Sequence, residues 1–113
     1  MWGIHYTTEI KKWLSTIDDD ALKAVLKAIT LLSELGPNLH RPYVDVVQAS
    51  KYKNMKELRI QNKKRIFRIF FIFDVKRNAL LLVGGDKRGK EQFYERMIKQ
   101  ADAIYTQYLM GVL

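Results

Sequence analysis

The sequence predicts an α+β fold: a helical hairpin, then a small, mainly antiparallel sheet, then a C-terminal helix. Three observations carry this. Two apolar stripes at helical spacing fill the first third of the chain. Apolar runs of strand length, IFRIFFIF and ALLLV, follow with short polar turns between them. A last amphipathic stripe then runs nearly to the C-terminus. The order is strand, helix, helix, three strands, helix, and a chain of 113 residues without repeats or linkers reads as one domain, 1–113.

Each element has a local reason. Residues 2–6, WGIHY, form a short first strand. Thr7 or Thr8 caps a helix whose Ile10, Trp13, Leu14 and Ile17 recur at i, i+3, i+4 and i+7. Asp18, Asp19 and Asp20 interrupt it, and an acidic triplet belongs at a helix N-terminus, where it meets the positive end of the dipole. Leu22, Val25, Leu26, Ile29, Leu32 and Leu35 trace the second helix, which Gly36-Pro37 ends. Residues 37–54 have no sustained period and read as a loop. Lys56–Ile60 alternates as a strand, and Asn62-Lys63-Lys64 turns the chain. Arg65–Asp74 is apolar from Ile66 to Phe73 except at Arg68, as a central strand covered on both faces would be. Lys76-Arg77-Asn78 is the next turn and Ala79–Gly84 the next strand, so short connections give an antiparallel meander. Gly84–Lys90 reads as a glycine-flanked basic loop. The final helix runs from about Glu91 to Leu109, with Phe93, Met97, Ala101, Ile104, Tyr105 and Tyr108 on one side.

Charge locates the functional region. Residues 51–90 hold thirteen Lys or Arg against Glu57, Asp74 and Asp86, a balance of +10, while the rest of the chain carries −2. A pI near 9.8 concentrated in one region points to a polyanion, nucleic acid first. A membrane surface fits less well, because the bases lie on strands and loops rather than along one amphipathic helix. No apolar run approaches the roughly 18–20 residues of a membrane span. The N-terminus has no basic segment followed by an apolar one, and the chain has no cysteine, so the expectation is a cytoplasmic protein without disulfides or thiolate metal sites.

Arg68 is the most informative residue. A guanidinium set among Phe67, Ile69, Phe70, Phe71 and Ile72 needs a partner, because an unpaired buried charge costs several kcal/mol. Either it pairs with Glu57 or Asp74, or it opens into a cleft and holds a phosphate bidentately. Arg59 on the neighbouring strand, Lys87 and Arg88 after the last strand, and Tyr94 on the final helix can join it. Arginines, lysines and one tyrosine without metal ligands fit cleavage of RNA by its own 2′-hydroxyl, with cations stabilising the phosphorane and a proton donor assisting the leaving 5′-oxygen. DNA lacks that hydroxyl. The remaining bases of the region, Lys51, Lys53, Lys56, Lys63 and Lys64, join Arg59 and Lys87 as candidate RNA contacts. GGDKRG lacks Walker A spacing; no HExxH or GxSxG occurs; His5 and His40 read as solvated or capping residues. No metal or organic cofactor is expected.

The motif set KELRIQ, KKRIFRIFFIFD, ALLLVGGDKRGKEQFYERMI and AD.IY, with RP-V-D at residues 41–45, resembles the HigB-type branch of the RelE/ParE toxin superfamily, also described as phage Gp49-like proteins. The resemblance covers about residues 40–109. It implies a helical hairpin packed on a twisted sheet, of the RelE-like, microbial-RNase-like type. It implies a toxin of a type II toxin–antitoxin pair that cleaves messenger RNA in the ribosomal A site, neutralised by a helix-turn-helix antitoxin of HigA type. RelE relatives line the cleft with a central-strand arginine, an arginine after the last strand and a tyrosine on the C-terminal helix. Arg68, Arg88 and Tyr94 occupy those positions. Arg59 corresponds to a basic residue of the preceding strand. Glu57 stands where RelE has a lysine, which leaves the general base open, and Asp86 in the adjacent loop is a candidate for it. A gyrase-binding, ParE-like toxin and a non-catalytic nucleic-acid-binding module are the alternative functions.

Overall fold

The structure, a computed structural model, describes residues 1–111. In chain order the elements are β1 (Gly3–Tyr6), α1 (Thr8–Leu14), α2 (Asp19–Leu35), a 3-10 turn at Gly36–Asn38, β2 (Val44–Val46), β3 (Lys56–Asn62), β4 (Arg65–Phe73), β5 (Asn78–Asp86) and α3 (Phe93–Leu109). The helix starts follow their caps. Thr7 Oγ1 accepts from the Ile10 amide at 3.3 Å, and Asp18 Oδ1 accepts from the Ala21 amide at 2.9 Å. Gly36, at φ 52, ends α2 where a side chain would be strained.

The strands form one five-stranded sheet in the order β1-β5-β4-β3-β2. β3, β4 and β5 are the expected antiparallel meander, and β1 joins in parallel beside β5. The sheet is therefore mixed. Each face carries its own core. Val25, Ile29 and Leu32 of α2 pack on Leu58, Ile60, Phe67, Ile69 and Phe71. Phe93, Met97 and Ala101 of α3 pack on Phe70, Leu82 and Val83 on the other side. Burying each large apolar side chain contributes about 1.5–3 kcal/mol, so β4, covered on both faces, is the most strongly held strand. A bulge in β5 supports the second core. Phe70 pairs with Val83 but Phe71 with Leu81, so Leu82 is an extra residue, and it and Val83 both face α3.

Three expectations are corrected. Residues 37–54 contain a short strand, β2, paired to Lys56–Leu58; three residues are too few to show a period. The strand expected to end at Gly84 continues through Gly85 and Asp86, which belong to β5 and not to a loop. The two glycines serve close approach: a Cβ on Gly84 would lie 2.6 Å from the Trp13 ring, and one on Gly85 3.1 Å from Phe93. Finally, α3 begins at Phe93 and not Glu91, because residues 87–92 are spent turning the chain off β5.

Candidate active site

On the face opposite the hairpin, α3 lies over β5 and β4, and its Tyr94 reaches Glu57 of β3. Alternation along the strands puts Glu57 and Arg59 of β3 and Arg68 of β4 on this face, beside the first turn of α3. Arg59 and Arg68 are direct register partners, and Glu57 is the diagonal neighbour of Arg68. Two cations directly opposite repel each other, so the arrangement needs a carboxylate.

Glu57 supplies it. Its Oε1 lies 3.3 Å from Arg68 Nε, and the two residues are only 7% and 6% exposed. Tyr94 Oη donates to the same Oε1 at 2.7 Å and accepts from Arg68 Nε at 3.2 Å. Arg68 Nη1 donates to the Phe67 carbonyl at 2.9 Å. Glu57, Tyr94 and Arg68 thus close a ring of two hydrogen bonds and one ion pair. Of the two situations foreseen for Arg68, the ion pair with Glu57 is the one present. Asp74 is engaged elsewhere, accepting from the amides of Lys76 and Asn78 and from Tyr108 Oη. Burial raises the Tyr94 phenol above its ordinary range, the bond to Glu57 adds to that, and Arg68 acts in the opposite sense. The phenol is protonated at neutral pH.

Lys87 Nζ is 5.4 Å from the Tyr94 ring centroid, and Arg88, the next residue, is exposed. Asp86 ties down this corner: its Oδ1 accepts from the amides of Ile66 and Arg88, both at 3.1 Å, and its Oδ2 lies 3.4 Å from Arg88 Nη2. Both carboxylate oxygens are engaged in holding the end of β5 to β4 and to Arg88.

The other basic residues disperse. Lys51 and Lys53 lie on the loop after β2, which Asp102 of α3 holds by accepting from Ser50 Oγ at 2.5 Å and the Lys51 amide at 3.1 Å. Lys63 turns to the hairpin side, 3.4 Å from Asp20 Oδ2, and Lys64 is exposed on the same turn. Lys56 is on the face opposite Arg59, beside His40 and Phe73, because even-numbered residues of β3 face the hairpin. His5 is an exposed residue of β1 near Tyr108, and His40 lies beside Lys56, so neither is at the cleft. Asp18 caps α2 and pairs with Arg65, whose hydrogen bond, with that of the Ala21 amide, lowers its carboxyl to about 2. Among the described residues, no three His, Asp or Glu side chains gather into a metal site. Nor is any helix among them long and apolar enough to cross a membrane.

Sequence reasoning offers Glu57 only as a partner for Arg68 and misses its bond to Tyr94. The signal is there in part. A two-residue turn at Lys63-Lys64 sets the β3–β4 register, and that register makes Glu57 the diagonal neighbour of Arg68. The placement of Tyr94 depends on how α3 crosses the sheet, which no local pattern encodes.

Comparison with known proteins bears on this geometry. The family model described as "Phage derived protein Gp49-like (DUF891)" matches residues 12–106. The candidate toxin HigB2 of Mycobacterium tuberculosis (strain ATCC 25618 / H37Rv) is 42% identical over 112 residues, 95% of this chain and 56% of that protein. The chain thus spans little more than half of HigB2. The candidate toxin HigB3 of the same strain is 43% identical over 95 residues, 83% of this chain and 82% of that protein. Among solved structures, a chain of the intact E. coli RelBE toxin–antitoxin complex aligns with a TM-score of 0.53 at 10% identity, covering 75% of this chain and 95% of that one. At that identity the likeness is one of fold.

Proposed function

The chain belongs to the phage-derived Gp49-like (DUF891) family, and from that premise we propose that it is the toxin of a type II toxin–antitoxin pair, a ribosome-dependent endoribonuclease cleaving messenger RNA in the A site. A helix-turn-helix antitoxin of HigA type is its neutralising partner. The observation that carries the reading is the cluster of Glu57, Tyr94 and Arg68 on the α3 side of the sheet, with Arg59 opposite Arg68 and Lys87 over the Tyr94 ring. It combines a proton acceptor, a protonated phenol and cations in one cluster.

In this reading the ribose 2′-oxygen attacks the adjacent phosphorus while its proton passes to Glu57 Oε2, the carboxylate oxygen not engaged by Tyr94 or Arg68. Arg59, Lys87 and Arg88 stabilise the charge of the phosphorane. The bond from phosphorus to the 5′-oxygen breaks, and that oxygen takes the Tyr94 proton. Glu57 then releases the proton from Oε2 to water and the phenolate takes one back from water, restoring the site. The products are a 2′,3′-cyclic phosphate and a 5′-hydroxyl. Arg68 positions both proton-transfer groups, and Asp86 positions Arg88.

The test is primer extension on a defined message in a purified translation system. Codon-phased cuts that require ribosomes are expected from the wild-type protein, falling by about a hundredfold or more with Glu57→Gln and with Tyr94→Phe. An intact message with folded wild-type protein overturns the reading. If replication stalls in cells while messages stay whole, gyrase is the target instead.

A further inference from the structure

Residues 47–55 join β2 to β3 and lie on the α3 side of the sheet. Packing holds the base of this loop: Val47 and Met55 are buried with Phe70 and Leu82 in the core under α3. The Val47 amide donates to the Met55 carbonyl at 2.9 Å and closes it. Neither contact reaches the tip, where Gln48, Ala49, Lys51, Lys53 and Asn54 are exposed. Polar bonds to α3 fasten it instead. Ser50 Oγ donates to Asp102 Oδ1 at 2.5 Å, the Lys51 amide to Asp102 Oδ2 at 3.1 Å, and the Tyr52 amide to Ser50 Oγ at 3.0 Å. Tyr52 Oη is hydrogen-bonded to Thr106 Oγ1, and its ring meets that of Tyr105 edge-on at 4.7 Å.

A carboxylate beside a lysine can pair with its ammonium, and Asp102 does not. Both of its oxygens are taken by a hydroxyl and a backbone amide, and neither Lys51 nor Lys53 has a carboxylate partner among the described residues. The Lys51 ammonium lies instead 5.3 Å from the Tyr52 ring centroid. Asp102 therefore orders the backbone that carries two lysines without neutralising either. Asp102 and Tyr94 belong to the same helix, about 12 Å apart along its axis at 1.5 Å per residue. The loop is thus fixed to the element that carries Tyr94, on the side of the sheet where Glu57 and Arg68 meet it.

We propose that Asp102 is a positioning residue for RNA: it holds the 48–54 loop against α3 so that Lys51 and Lys53 take phosphates of the message strand flanking the cleavage site. The inference rests on the nuclease reading above and deepens it. A nucleic-acid strand carries a negative charge at every phosphate, so cations held at a fixed distance from Tyr94 set the register of the strand as well as attract it. Lysines on a loose loop would attract the strand but would have to be ordered at the moment of binding, and the bonds to Asp102 order them beforehand.

The experiment measures binding of a fluorescein-labelled single-stranded RNA oligonucleotide to the full chain, beside message cleavage on ribosomes. Lys51→Gln with Lys53→Gln is expected to weaken binding about tenfold and to flatten the slope of log affinity against log salt by about 1.4, the share of two phosphate contacts on a single strand. Asp102→Ala decides between causes, because it removes a negative charge. Electrostatics alone would tighten RNA binding, whereas lost positioning should weaken it about fivefold and raise KM for the message with kcat held. Ser50→Ala leaves the charge unchanged and should weaken binding in the same way. Binding by Asp102→Ala that equals or exceeds wild type, beside intact cleavage by the wild-type protein, overturns the positioning role and leaves the nuclease reading standing. Weaker binding of the variants to message-free ribosomes, with oligonucleotide binding unaltered, overturns the assignment to the message and moves the loop to ribosomal RNA. Weakened oligonucleotide binding by variants of a wild-type protein that cuts no message supports the loop contact and overturns the nuclease reading.

Discussion

Replacing Arg68 by methionine removes the guanidinium while roughly preserving the volume of its stem. Glu57 is then left 7% exposed with its hydrogen bond from Tyr94 Oη but without its ion-pair partner. Breaking one side of a buried ion pair costs about 3–5 kcal/mol, because the remaining charge keeps its desolvation penalty. For a domain of this size, about 4 °C of melting temperature is lost per kcal/mol, so Arg68→Met should melt roughly 12–20 °C below wild type. Glu57→Leu should cost a similar amount by orphaning Arg68. The double variant should recover most of the loss, retaining a penalty of about 1–3 kcal/mol for the unpaired Tyr94 hydroxyl. Urea denaturation of the four proteins gives a coupling energy, expected from these figures to be about 6 kcal/mol in magnitude. Additive single effects, or a cost below about 1 kcal/mol for Arg68→Met, would refute the claim that these side chains form one buried unit. The same cycle separates positioning from phosphate binding: a guanidinium that mainly held substrate would lose activity on removal with little change in melting.

Gly84→Ala drives a methyl group into the Trp13 ring at 2.6 Å and should cost about 1–3 kcal/mol, visible in the urea midpoint, with partial recovery in a Trp13→Leu background. Tyr94→Phe should cost about 1–3 kcal/mol in stability, less than Arg68→Met, since Glu57 loses its hydrogen bond but keeps its ion pair with Arg68, while message cleavage is lost. Asp18 supplies a pH test. Its folded value of about 2 lies below the ordinary 3.8, so its contribution is complete above roughly pH 4 and vanishes as pH falls through 2. The stability gap between wild type and Asp18→Asn should therefore close across that window and narrow in high salt, because the pair with Arg65 is exposed. A gap unchanged from about pH 5 to about pH 1.5 would show that it does not come from the ionised carboxylate, against both the ion pair and the charged cap.

Local chemistry makes much of the fold legible. The stripe from Leu22 to Leu35, its acidic cap and its Gly36-Pro37 stop define α2. Apolarity from Ile66 to Phe73, broken only by Arg68, marks β4 as central without any tertiary context. The candidate site is legible by residue type: Arg68, Arg88 and Tyr94 stand out in the sequence, and their roles are proposals. The spatial partition is less legible. Lys56 and Arg59 look alike in the sequence, yet the pleat sends them to opposite faces, and Lys63 is drawn to Asp20 across the hairpin.

What the sequence by itself determined is whatever depends on neighbours along the chain: helix starts and stops, strand periods, turns and the concentration of positive charge in residues 51–90. What only the tertiary structure decided depends on groups far apart in sequence. β1 pairs with β5 across more than seventy residues, and the extra residue Leu82 resets which side chains face α3. Glycines 84 and 85 admit Trp13 and Phe93, and α3 brings Tyr94 to a carboxylate 37 positions earlier. Hydrogen bonds and packing act over a few ångströms of space whatever the separation along the chain, so these contacts come into being only when the two layers of helices close on the sheet.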